Sequence, residues 1–201
     1  MAILLRILWV SAVNTMNDTD AGYEDGESES FMLIDDLRAT LVNLTTRERD
    51  AVVLAVLAIM ADFARATLPG GEESRLRVLE AGIREFHGSG CVGPQLVERI
   101  DQQIPDEDAV GERWGVWVPV IENLGISLLA LDCGSPPDLG RVAEQFVEFL
   151  DTLVTTKYGT YPSGDERVFE RALVVIGEVR SGRMDDVPRF SAMLVSEFGR
   201  G

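Results

Sequence analysis

The stretch TTRERDAVVLAVLAIMADF, residues 45–63, decides the fold of this chain. Thr45 is followed three positions later by Glu48, which is the spacing of a capping box that starts a helix. Over residues 52–63 the apolar side chains fall on nearly every side of such a helix. A helix of this kind is stable only where other elements cover it. The stretch therefore predicts a central buried helix, which the Pro69-Gly70-Gly71 turn ends.

Helical periodicity continues on both sides of this stretch. Apolar residues spaced three and four apart predict further helices, and their stripes are Ile34-Leu37-Leu41-Leu44, Leu76-Leu79-Ile83-Phe86, Leu96-Val97-Ile100, Val110-Trp114-Trp117-Ile121-Leu124-Leu128-Leu131, Leu139-Val142-Phe146-Phe149-Leu150-Leu153, Val168-Phe169-Leu173-Ile176-Val179 and, as a last turn or two, Val187-Phe190-Leu194-Phe198. Pro119 interrupts the longest stripe and should kink or split that helix. Residues 116–121 are rich in β-branched side chains, so a short strand is the alternative there.

These patterns predict an all-α fold, a single-domain bundle of seven or eight helices with short loops over residues 31–201. Residues 1–30 are expected to be a disordered or mis-assigned N-terminal extension. Its apolar start, MAILLRILWVSAV, contains Arg6 and is too short to span a bilayer or to serve as a secretory signal, and Met16 is an alternative start. Residues 17–30 hold six acids and no basic residue, which is typical of a solvated linker.

The charge of the chain limits its partners. There are 34 acidic residues against 18 basic ones among 201, a net charge of −16, and every basic residue except Lys157 is an arginine. We ascribe the arginine excess to a coding bias rather than to adaptation to high salt. A one-sided acidic composition argues against nucleic acid and against anionic membranes as partners. The two cysteines, Cys91 and Cys133, do not suggest a disulfide framework, and we expect both to stay reduced in the cytoplasm.

Few residues suggest catalysis. His87 is the single histidine, which excludes multi-histidine metal sites and restricts acid–base chemistry near neutral pH. A thiol–imidazole pair with Cys91 is the functional alternative to a helix-end histidine, but Gly88-Ser89-Gly90 separates the two. The sequence contains no phosphate loop, dinucleotide fingerprint or nucleophile elbow. We therefore predict no catalytic residues and no cofactor.

Two groups of acids are the candidate partner-binding residues. The first is Asp106, Glu107, Asp108 and Glu112, and the second is Glu144, Glu148 and Asp151. The first group also fits helix capping or a site for a hard cation. The second has the spacing of one helix face, which is most often a solvated stripe. Trp114 and Trp117 are expected in the core, with an interface anchor as their second possible role.

Four stretches carry a family resemblance: LTTRERDAVVLAVLAIMADF (residues 44–63), LVERIDQQIPDEDA (96–109), ENLGISLLALDCGSPPD (122–138) and VAEQFVEFLDTLVTTKYG (142–159). Over about residues 31–182 the chain resembles the YjaG-like family of uncharacterised helical bacterial proteins, from which Pro119 departs. The resemblance implies an all-α cytosolic protein and supplies no catalytic residues. Small helical proteins of this kind also occur among immunity proteins of bacterial toxin systems, which is an analogy of fold.

The function predicted first is that of a non-enzymatic acidic binding protein in the cytoplasm, an immunity-type partner of a basic toxin or another cationic protein. The alternatives are a metal-dependent enzyme that uses the carboxylates of residues 106–112, and a structural subunit of a homo-oligomer with Trp114 or the C-terminal helix at its interface.

Overall fold

A computed structural model describes residues 24–105, 115–158 and 166–199. Within those ranges the chain forms eight helices and no strand, which confirms the all-α bundle; the helices are α1 (Glu24–Val42), α2 (Thr46–Thr67), α3 (Glu73–Ser89), α4 (Pro94–Asp101), α5 (Trp117–Leu129), α6 (Leu139–Tyr158), α7 (Glu166–Arg180) and α8 (Asp186–Phe198). None of the described helices is long and apolar enough to cross a membrane.

Helix α2 is the centre of the bundle, as its sequence predicts. It packs against α3, α5, α6, α7 and α8. Most of its apolar side chains are buried, and the fully buried ones are Val52, Ala55, Val56, Leu57, Ile59, Met60, Phe63 and Ala64. The two remaining helices lie outside this ring: α1 packs on α6 and α7, and α4 packs on α3 and α5. The helices of this ring therefore bury one face each against a helix whose own solvent edge carries Asp62 and Arg65.

The predicted capping box at the start of α2 is present. The Glu48 amide donates to the Thr45 hydroxyl at 3.3 Å, and the Thr45 amide donates to a Glu48 carboxylate oxygen at 2.9 Å. The other carboxylate oxygen of Glu48 accepts a hydrogen bond from Arg180 Nε at 3.0 Å, so the end of α7 is tied to the start of α2. Hydrogen bonds from the Thr45 side chain and backbone, and then from Arg180, lower the pKa of Glu48 from 4.5 to about 2.

Three helix boundaries differ from the sequence pattern. Helix α1 begins at Glu24, inside the predicted acidic linker, where carboxylates in a first turn are favoured by the helix dipole. Helix α5 begins at Trp117, so Pro119 lies in a first turn, whose amides have no intrahelical acceptor, and causes no break. The strand alternative for residues 116–121 is therefore wrong. Helix α8 runs for 13 residues rather than a turn or two.

The expectation of two reduced cysteines is also wrong, because Cys91 and Cys133 form a disulfide. The loop after α3 and the turn after α5 lie side by side: the Val92 amide donates to the Leu131 carbonyl at 2.8 Å, and the Cys133 amide donates to the Val92 carbonyl at 2.9 Å. Forty-two positions separate the cysteines, and sequence spacing alone gives no sign of this contact. The tertiary packing of α3 against α5 brings the two thiols together.

We predict that the disulfide contributes substantially to stability. Its loop spans 42 positions, for which loss of unfolded-chain entropy gives about 4 kcal/mol as an upper estimate. Urea unfolding with and without dithiothreitol should show a lower midpoint for the reduced protein. The Cys91→Ser/Cys133→Ser variant should match the reduced protein and ignore the reductant. Equal midpoints for oxidised and reduced protein would contradict the prediction.

The lowered pKa of Glu48 predicts a loss of stability in acid. Because the folded-state pKa lies below the ordinary value, the contribution of Glu48 is complete above about pH 4.5 and is lost as the pH falls towards 2. Glu48→Gln keeps a side-chain acceptor for the cap but has no charge to lose. The difference in unfolding free energy between wild type and Glu48→Gln should therefore shrink over this pH range. A difference that stays constant would show that the charge of Glu48 is not involved.

Candidate interaction surface

The acidic helix pair, defined here as residues 115–158 with α5 and α6, has an excess of acidic over basic residues. It holds six carboxylates and only two basic residues, Arg141 and Lys157. Residues 166–199, in contrast, hold six carboxylates and five arginines. The two helices of the pair pack against each other. This pair is the candidate interaction surface.

The second predicted group of acids lies on α6 and forms a stripe at its solvent edge. Glu144 is exposed, whereas Glu148 and Asp151 are half-buried. The rest of α6 faces the core, where Phe146, Phe149 and other apolar residues are buried. Arg141 Nη1 lies 3.5 Å from a Glu144 oxygen, and both side chains are largely exposed. An exposed ion pair of this kind is weak, so Glu144 remains able to attract a cationic group.

A buried amide lies next to this stripe. Gln145 is 3% exposed, and its Nε2 donates to a Glu148 carboxylate oxygen at 3.4 Å. Its Oε1 is buried and has no hydrogen-bond partner within the described part of the chain. Sequence reasoning missed Gln145, although a glutamine between Val142 and Phe149 on the apolar face of α6 is a visible irregularity.

The first predicted group, Asp106, Glu107, Asp108 and Glu112, lies outside the described residues, as does Trp114. The structure therefore leaves the cation-site alternative for that group as a prediction. Trp117 is 6% exposed at the start of α5, which confirms its predicted place in the core. Of the two candidate patches, the geometry can be followed only for the stripe on α6.

The thiol–imidazole alternative is excluded, because Cys91 is bonded to Cys133 and has no thiol to activate. His87 is exposed in the last turn of α3, which is the helix-end position that the sequence favours. Among the residues that the structure describes, no three metal-ligating side chains are grouped closely enough to hold a metal ion.

A second cluster was not foreseen from the sequence. Lys157 and Tyr158 at the end of α6 meet Glu197 and Phe198 at the end of α8. The signal was the single lysine of the chain followed directly by a tyrosine, but their partners lie about forty positions further on. Only the packing of α8 against α6 brings the two pairs together.

Comparison with known proteins adds no relative: no family model, curated protein or solved structure matches this chain. The resemblance to the YjaG-like family therefore stays a prediction.

The unsatisfied oxygen of Gln145 predicts an unusual mutational effect. Gln145→Met removes a buried acceptor without a partner and keeps the volume, so the unfolding free energy should rise by about 1 kcal/mol. Gln145→Glu instead buries a charge beside Glu148 and should lower the unfolding free energy by several kcal/mol. Urea denaturation of both variants checks this contrast. A clear loss of stability in Gln145→Met would show that the amide oxygen has a partner that matters.

Proposed function

We propose that this chain is a non-enzymatic binding protein that holds a cationic protein against the acidic helix pair, as an immunity-type protein holds a basic toxin. The observation that carries the proposal is the stripe of Glu144, Glu148 and Asp151, on a helix pair with six carboxylates and two basic residues. A surface of one charge sign steers an oppositely charged partner and speeds its encounter.

The location of this surface favours a role in recognition rather than in stability. Elsewhere in the bundle, carboxylates make ion pairs between helices: Arg65 of α2 bonds Glu80 of α3 at 2.8 Å, and Arg180 of α7 bonds Glu48 of α2 at 3.0 Å. Glu144, in contrast, pairs with Arg141, which lies one turn away on the same helix. A carboxylate that ties no second helix in place can be used for binding at little cost in stability.

The cellular location of this binding protein is a separate prediction. The sequence predicts the cytoplasm, but the disulfide between Cys91 and Cys133 argues against that location, since cytosolic thiols are kept reduced. Alkylation of thiols in intact cells before lysis distinguishes the cytoplasm from an oxidising compartment. Labelling of both cysteines would support the cytoplasm, and protection of both would support an oxidising compartment.

Charge reversal tests the surface. We expect Glu144→Arg to weaken binding of a basic test peptide rich in arginine and lysine by about fivefold at low salt, with a smaller effect at high salt. Glu170→Arg is the matched control, because Glu170 is exposed on α7, which packs on α1, α2 and α8. It makes the same change in net charge away from the stripe and should alter affinity less than twofold. Titration calorimetry at two salt concentrations measures both variants.

Two results would overturn the proposal. Equal weakening by Glu144→Arg and Glu170→Arg would show that the peptide senses only the net charge. No weakening by Glu144→Arg would show that the stripe on α6 is not used. For the native partner, affinity capture with mass spectrometry should recover a cationic protein with wild type and with Glu170→Arg, and lose it with Glu144→Arg.

A further inference from the structure

The ends of α6 and α8 form a small cluster around one ammonium group. Lys157 Nζ lies 4.6 Å from the centroid of the Tyr158 ring and 4.8 Å from the centroid of the Phe198 ring. The same nitrogen donates to a Glu197 carboxylate oxygen at 3.2 Å. The two rings are nearly perpendicular, with an interplanar angle of 85° and centroids 6.5 Å apart. The ammonium group thus contacts two aromatic faces and one carboxylate.

This arrangement has the chemistry of an alkylammonium site. Aromatic faces attract a cation within about 6 Å of the ring centroid, and a carboxylate adds a charged hydrogen bond. The Tyr158 hydroxyl lies 3.5 Å from the Glu197 oxygen that holds Lys157, so ring and carboxylate are linked to each other. The pKa of Lys157 is raised above its usual value, first by hydrogen bonding with the Tyr158 side chain and then by Glu197. The surroundings of the amine therefore favour its charged form.

The cluster is open on one side. Phe198 is buried and forms the floor, whereas Tyr158 is 41% exposed and the Glu197 side chain is 37% exposed. Lys157 is adjacent to Tyr158 in the sequence and is the single lysine of the chain. Replacing it therefore removes the ammonium group while leaving both rings and the carboxylate in place.

We propose that Tyr158, Phe198 and Glu197 form an alkylammonium-binding cage that Lys157 occupies in the free protein, and that a lysine side chain of a cationic partner takes its place. The second half of this statement rests on the proposed function. Glu144, Glu148, Asp151 and Tyr158 lie on one face of α6, at spacings of four, three and seven residues. The stripe and the cage therefore lie along one line of the helix surface. Glu144 and Tyr158, at the two ends of this line, are about 21 Å apart.

The cage can be tested without any partner protein. In Lys157→Met, tetramethylammonium and butylammonium chloride should shift the ring resonances of Tyr158 and Phe198 in a saturable way. Sodium chloride at the same ionic strength should not. Wild type should show no saturation over the same range of concentration, because the tethered lysine competes for the site.

Removing a wall of the cage should weaken this binding. On the Lys157→Met background, we expect Glu197→Gln and Tyr158→Leu each to weaken butylammonium binding by about threefold to thirtyfold. Both side chains are partly exposed, so the variants should keep the fold, which circular dichroism verifies. The cage would be overturned by the absence of a saturable shift in Lys157→Met, or by double variants that bind butylammonium as tightly as Lys157→Met does.

A third measurement separates the cage from the proposed function. Lys157→Met should bind a lysine-rich test peptide more tightly than wild type does. The same substitution should increase the affinity for an arginine-only peptide by a smaller factor. Binding of the small ammonium ions without this gain would support the cage and contradict a partner lysine in it. On the Lys157→Met background, Glu144→Arg should weaken peptide binding and leave binding of the small ions unchanged, because Glu144 lies outside the cage. Loss of small-ion binding in this variant would contradict a cage formed by Tyr158, Phe198 and Glu197.

Discussion

The burial of α2 is the constraint on which the rest of this structure depends. Most of its apolar side chains are buried, so water has to be excluded from several sides of the helix at once. Five helices pack directly around it, and each contributes one apolar face. This arrangement fixes which face of each surrounding helix is left for solvent. The polar surface of the molecule is thus a consequence of how the central helix is covered.

The acidic stripe follows from the same constraint. Helix α6 is packed against α1, α2, α5 and α8, so only a narrow edge of it reaches water. Glu144, Glu148 and Asp151 lie on that edge because the opposite face of α6 is buried in the core. A narrow, straight row of carboxylates results rather than a diffuse acidic surface. This shape suits an extended basic segment, and the cage around Lys157 lies at the far end of the row.

Contacts between distant parts of the chain hold the outer helices in place. The Cys91–Cys133 disulfide joins the loop after α3 to the turn after α5, and Arg180 joins the end of α7 to the cap of α2. Glu197 of α8 holds Lys157 of α6 in a similar way. Each of these links lies at helix ends, and the hydrophobic stripes of the sequence do not indicate which helix ends lie next to each other. These links select one arrangement among the ways in which eight amphipathic helices can pack.

The sequence by itself determined the helical class, the identity of the central helix, its capping box and the face of α6 that carries the acids. These features depend on the 3.6-residue period and on hydrogen bonds between near neighbours, which a linear pattern records. Only the tertiary structure decided the disulfide, the Glu48–Arg180 pair, the burial of the Gln145 amide and the cage around Lys157. The partners in the three pairings are from 40 to 132 positions apart. Such contacts form because helices pack in three dimensions, and no local period of the chain encodes which helix ends will meet.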